Sequence, residues 1–300
     1  MTSLGYEAAA LGAATAWAVG GLIAAGPSKE LGGPRFTRLR MYWVAFVLAV
    51  AATIAGGWTS LGQREVLLLS ASGVVGLALG DAALFTAFSR LGPRRTGMLF
   101  ATNAPMAAVL SAFVFGERFT VRTISGTVLV SVGVTLAIAY GTRSNQRHHW
   151  EEVRGSLVVG VGFGLLGALG QAVGVLLADP AFDADIDPWA AAAVRAIVGL
   201  GALVALKGWF EARSAIPYPE RIRPKLWGAI LLSATVGMVI GKTLVLIALD
   251  GGDPGIVSVL VSTSPVIQLP LIWLVTKEAP AIGAWVGAAS AAAGTYLIVA

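Results

Sequence analysis

Three hundred residues carry 56% apolar side chains, 12% charged side chains and a mean hydropathy of +0.79, against roughly 25% charged residues in soluble domains. That composition excludes a soluble domain, and the net charge of +5 is better read from its placement between apolar runs than as a nucleic-acid signal. The absence of cysteine excludes disulfides, thiolate catalysis and Cys-ligated metals. About 20 apolar residues are needed to cross a bilayer core as helix. Ten stretches fit: 6–26, 36–56, 65–89, 97–115, 122–140, 155–178, 188–209, 226–248, 255–275 and 281–299. The runs are continuous rather than alternating with period two, which gives helices and not a barrel. The first run lacks a basic leader and is long enough to remain as a span, so no cleavable signal peptide is expected.

The connections are too short for a soluble domain. The longest are the polar segment Gly141 to Arg154 and the proline-rich segment Ala212 to Lys225. Arg38, Arg40, Arg195 and Lys242 fall inside spans. The remaining basic residues divide as fourteen in the odd-numbered connections and three, Arg64, Arg118 and Arg122, on the other face. The positive-inside rule then puts the odd connections in the cytoplasm and both termini outside.

Internal repetition organises the chain. At a constant offset of 161, Gly76, Gly80, Asp81 and Ala87 match Gly237, Gly241, Lys242 and Ala248, and Glu117, Gly126 and Gly133 match Glu278, Gly287 and Gly294. Pro105 matches Pro265 with a one-residue shift. The predicted fold is an all-α polytopic membrane protein: ten transmembrane helices in two inverted five-helix repeats, residues 1–140 and 155–300, joined by a linker at 141–154. Five is odd, so the second repeat enters the membrane with the opposite sense, as in secondary carriers that work by alternating access.

Two five-helix halves, an arginine early in the second helix of each, and a closing pattern of small residues, Pro, apolar run, Glu and two glycines resemble the EamA-type branch of the drug/metabolite transporter superfamily. The pattern runs from Ala104-Pro105 to Gly116-Glu117, Gly126 and Gly133, and again from Ser264-Pro265 to Lys277-Glu278, Gly287 and Gly294. The resemblance implies a carrier for small metabolites, often an exporter of amino acids or related solutes, with a central cavity between the halves. It also implies cytoplasmic termini, the opposite of the charge count.

Candidate site residues follow from depth. Asp81 and Lys242 each lie about sixteen residues into their span, at mid-membrane, where a charge costs at least about 2.5–3.5 kcal/mol and usually faces a cavity or a partner. A two-fold axis in the membrane plane brings equivalent mid-depth positions together, so the two residues are expected to approach one another. They then form either a neutralising salt bridge or a site in which Lys242 takes a carboxylate and Asp81 an ammonium or a proton. Arg38 and Arg195 are the next pair, read as snorkelling groups or as a vestibule for anions. Polar runs beside helix-interior prolines, Asn103 near Pro105 and Thr263 near Pro265, either satisfy freed backbone groups or touch substrate. Trp17, Trp43, Phe85 and Phe88 serve packing or stacking. Gln171, at mid-span, is expected to hydrogen-bond a neighbouring helix.

Other signals weigh less. Asp183, Asp185 and Asp187 begin like a calcium loop, but Pro188 stands where glycine is needed and Val194 where glutamate is needed. His148 and His149 read as a solvated loop, and Glu117 and Glu278 as helix-end features. No Walker-type loop supports ATP-driven transport. The reading is a secondary transporter of a small polar metabolite, amino acids first, in a bacterial-type inner membrane. It needs no cofactor or metal, its partners are the substrate, the lipid bilayer and protons as a coupling ion, and its working direction is outward. Carriage of drugs, nucleotide-like or sugar-phosphate solutes is the alternative. A channel, an intramembrane enzyme and a scaffold are the rival classes.

Overall fold

The computed structural model describes residues 3–115, 120–140, 153–213, 216–217, 219, 221–249, 256–257, 260–261 and 263–299. Glu117, His148, His149 and most of the linker lie outside them. The apolar runs become helices because in lipid every backbone N–H and C=O must be satisfied within the segment. Helix α1 is Ser3–Leu31, α2 Gly33–Ile54, and α3 Gln63–Leu91 with a π-helical stretch at Gly73–Gly80. Helix α4 consists of Pro93–Phe100 and Asn103–Phe115, and α5 is Val121–Tyr140. The second half supplies α6, Leu157–Phe182, and α7, Pro188–Ala205, extended by a short helix at Lys207–Ala212. Helix α8 is Pro224–Ala234 and Gly241–Leu249 joined by a π-helical stretch at Thr235–Ile240; α9 is Ser264–Thr276 and α10 Ile282–Val299.

Eight of these are long and apolar enough to cross a membrane, and they correspond to the first eight predicted spans. The two at the C-terminal end are shorter apolar helices. Chain reversals at the α1–α2 and α3–α4 junctions use the same device. Gly32 and Gly92 sit at φ 79° and 82°, a left-handed region open to glycine, and a proline follows in the first turn of the next helix, where its missing N–H costs nothing.

The two halves are packed by exchange. Helix α1 lies against α8 and α9, α6 lies against α3 and α4, α2 packs on α7, and α5 on α10. Replacing each helix by its equivalent five positions on maps this set of contacts onto itself, as a two-fold axis requires. The α5–α10 contact shows it residue by residue. A Cβ at Gly126 would overlap the Gly294 carbonyl, and one at Gly133 would overlap the Gly287 carbonyl. Because Gly126 and Gly133 are the repeat equivalents of Gly287 and Gly294, the contacts cross over, which is the signature of an isologous interface. Small residues let backbones approach where lipid supplies no hydrophobic drive.

Charged contacts tie the halves together at the end carrying the odd-numbered connections. Arg223 Nη2 donates to both carboxylate oxygens of Glu30, at 2.9 Å each. Arg35 Nη1 donates to the Ile216 carbonyl at 2.6 Å, and Arg154 Nη1 to the Lys29 carbonyl at 3.0 Å. Beneath them pack Leu31, Phe36, Phe85, Phe88, Leu226 and Ile230.

Candidate functional site

Asp81 is 6% exposed and is the first residue after the π-helical stretch of α3. Lys242 is the second residue after the π-helical stretch of α8. π turns inside α-helices recur at functional sites because they displace the ladder and re-aim the following side chain. Here the distortion recurs at repeat-equivalent positions, each preceding an ionisable residue.

Close glycine contacts bring the neighbouring helices in. A Cβ at Gly174 of α6 would stand 2.8 Å from the Gly76 Cα, and one at Gly20 of α1 would stand 2.7 Å from the Gly237 Cα, the equivalent contact in the other half. Three residues before Gly174, Gln171 reaches α3: its Nε2 donates to Asp81 Oδ1 at 2.6 Å and to the Gly76 carbonyl at 3.1 Å. Three residues before Gly20, Trp17 lays its indole against Gly241, so that a Cβ there would meet Cδ1 and Nε1 at 2.5 Å. Asp81 thus has a hydrogen-bonding amide beside it, whereas at the equivalent place in the other half an aromatic ring lies on the glycine that precedes Lys242.

Three cations lie within electrostatic reach of Asp81: Arg40, Lys242 and Arg195. Lys242 in turn lies within electrostatic reach of Arg195, Asp81 and Arg40. Among the described residues, no lysine or arginine nitrogen comes within 4.0 Å of the Asp81 carboxylate. Asp81 and Lys242 are therefore coupled without forming the direct salt bridge that pairing the two mid-span charges suggested. The hydrogen bond at Asp81 comes from Gln171 instead.

Arg40 is the member that sequence reasoning passed over. It is 8% exposed and its guanidinium sits over the Phe85 ring at 4.7 Å. Thr37, one turn earlier on the same face, directs its hydroxyl toward the Asp81 carbonyl at 3.4 Å. Arg38 is turned away from that face and donates to Glu211 at 3.0 Å, in the extension of α7. It belongs to the charged end of the bundle and not with Arg195 in a common vestibule. The signal that could have singled out Arg40 is the run Thr37, Met41, Val44 and Leu48, all buried at helical spacing.

Phe85 is held edge-on to Phe36 at 4.7 Å and beside Phe88 at 5.4 Å. It acts here as a packed platform for Arg40. Trp43 donates from Nε1 to Thr235 Oγ1 at 2.9 Å, fastening α2 to the π-helical stretch of α8.

The prolines differ from expectation. Pro105 is the third residue of the helix that restarts at Asn103, and Pro265 is the second residue of α9, so neither interrupts a helix. The break falls just before them, and first-turn proline is tolerated because that N–H has no intrahelical acceptor. At the break in α4, the Thr102 hydroxyl donates to the Leu99 carbonyl at 2.6 Å; at the equivalent place Thr263 donates to Leu260 at 2.6 Å. The Thr263 proton is thus used on the backbone, while Asn103 is half-buried where the new helix opens. The calcium-like aspartates resolve similarly, since Asp187 caps α7 by accepting from the Ala190 N–H at 2.8 Å. Glu278 follows the end of α9, where Lys277 takes a left-handed φ of 59°.

A solved crystal structure of another protein shares the fold, with a TM-score of 0.63 over 97% of this chain and 95% of that one, at 17% identity. No curated protein matches the sequence. The EamA-like transporter family matches it twice, over residues 5–139 and 158–300, the same two halves that exchange helices in the bundle. The chain belongs to the EamA-like transporter family, whose members are membrane transporters of small solutes.

Proposed function

We propose that the protein is an alternating-access carrier whose binding site is the mid-membrane cluster of Asp81, Arg40, Arg195 and Lys242, with Trp17 and Gln171 beside it. The observation that carries this reading is the four-charge cluster, Asp81 and Arg40 buried and Arg195 and Lys242 half-buried, at the place where helices exchange between two repeat-related halves. Inverted repeats give a carrier two equivalent ways of leaning on one central site, one open to each side. Charges this deep are costly unless they serve a pathway or a partner. The structure supports a closed arrangement at the end with the odd-numbered connections, where Arg38–Glu211 and Arg223–Glu30 bridge the halves. Opening that end means breaking these pairs, both accessible to water once the halves part.

The cargo is a small polar metabolite of about amino-acid size, and outward movement through a bacterial-type inner membrane is the working direction. Asp81 is the group positioned to exchange a proton during the cycle. The test is solute counterflow in proteoliposomes, with and without a pH gradient. A carrier shows saturable uptake accelerated by unlabelled solute on the opposite side. Flux that rises linearly with concentration and shows no such acceleration overturns the carrier reading in favour of a pore.

A further inference from the structure

We infer that the central site takes a small solute bearing two anionic groups, an organic dicarboxylate or a phosphate monoester, an inference that rests on the cluster being the transport site. Its ground is the imbalance of the cluster. Arg40, Arg195 and Lys242 face a single carboxylate, Asp81, and among the described residues no other acid couples to them. A formal excess of two positive charges therefore remains in the middle of a bundle whose surroundings are apolar.

The remaining donors point the same way. The Nε atoms of Arg40 and Arg195 are buried and have no hydrogen-bond partner. Arg40 is held by the Phe85 face, a contact that leaves its N–H groups free of an acceptor. Arg195 comes from α7 with its Nη2 3.6 Å from where a Cβ on Gly76 would stand, so its guanidinium reaches the α3–α6 crossing one turn before Asp81. Planar guanidinium groups recognise carboxylate and phosphate through paired N–H···O bonds. The uncharged donor nearest the acid, Gln171, is already used on Asp81 and on the Gly76 carbonyl.

A zwitterion adds one charge of each sign and leaves the excess untouched. A neutral solute does the same. A solute with two negative charges cancels it, and cancellation matters because a buried unpaired charge carries a desolvation penalty that a partner must offset.

The experiment uses the purified full chain with three probes: succinate, glycerol phosphate and serine. Counterflow is measured in proteoliposomes and melting is followed in detergent. Counterflow of labelled succinate or glycerol phosphate, undiminished by excess serine, is expected, and whichever dianion moves identifies carboxylate or phosphate as the recognised group. The same dianion raises the melting temperature, and Arg195→Gln weakens its binding roughly tenfold or more, as loss of a charged hydrogen-bond donor predicts. Lys242→Met provides a second variant with the same expected direction. Serine counterflow that outcompetes both dianions and is lost in Asp81→Asn overturns the dianion inference and leaves the carrier standing. A dianion that stabilises the parent but not Arg195→Gln, without any counterflow, overturns the carrier reading and leaves dianion recognition by the cluster standing; stabilisation that Arg195→Gln does not reduce overturns the inference. Absence of both counterflow and stabilisation by either dianion overturns the inference.

Discussion

Replacing Asp81 by asparagine removes a charge and little else. The shape is kept, and the Gln171 amide can still donate to the Asn oxygen, so the 2.6 Å hydrogen bond has a neutral counterpart. What is lost is attraction to Arg40, Lys242 and Arg195. At separations beyond 4.0 Å and an effective dielectric of about 20, each attraction is below about 4 kcal/mol. The variant also leaves three cations facing one another. Removing one partner from a buried charge cluster costs about 3–5 kcal/mol, and that is the expected destabilisation. Lys242→Met is the informative contrast. Among the described residues Lys242 has no carboxylate oxygen within 4.0 Å, and it shares the site with the like charges of Arg195 and Arg40, so relief of repulsion offsets lost attraction. Its stability should stay within about 1 kcal/mol of the parent or rise, as when a buried ion is replaced by an apolar group of similar volume. Both are measured by reversible unfolding in mixed micelles. Equal, large losses in the two variants would refute the reasoning, because they would mean that Asp81 and Lys242 form an exclusive ion pair.

Leucine at Gly126 or Gly133 forces α5 off α10, whose carbonyls lie where the new side chain would start; a loss of about 1–3 kcal/mol is expected from overpacking, read as a lower melting temperature. Arg38→Gln breaks the bridge to Glu211 and loosens the closed end. Because the chain has no cysteine, Ser89→Cys, at a position 5% exposed, reports this directly: maleimide labelling should be slow in the parent background and several-fold faster with Arg38→Gln. Trp17→Ala removes the indole lying on Gly241 and is expected to raise the half-saturating solute concentration more than it lowers the maximal rate, in a counterflow assay. The charge count places the C-terminus outside the cytoplasm; a C-terminal alkaline phosphatase fusion should then be active and a fluorescent-protein fusion dark, and the reverse pattern would assign the basic connections to the outer face.

The amino-acid sequence by itself determined the membrane class, the positions of the apolar segments and the repeat at offset 161. These properties are local: mean hydropathy over about 20 residues and the spacing of glycine, proline and ionisable landmarks need no knowledge of neighbours. It also fixed the depth of Asp81 and Lys242, since depth follows from counting residues along a span at 1.5 Å each. Direction around the helix axis was a different matter. Successive residues differ by about 100°, so Arg38 and Arg40 share nearly the same depth yet face Glu211 and Asp81 respectively. Which azimuth is the inner one depends on the helices packed alongside, and that was decided only when α2 met α3 and α7. The partnership of Gln171 with Asp81 likewise rests on the approach of α6 to α3 through Gly170 and Gly174. The π-helical stretches ahead of Asp81 and Lys242 have no sequence signature comparable to a proline. They belong to the tertiary structure, which sets the local ladder to suit the close helix contacts and thereby aims the two charges into the bundle.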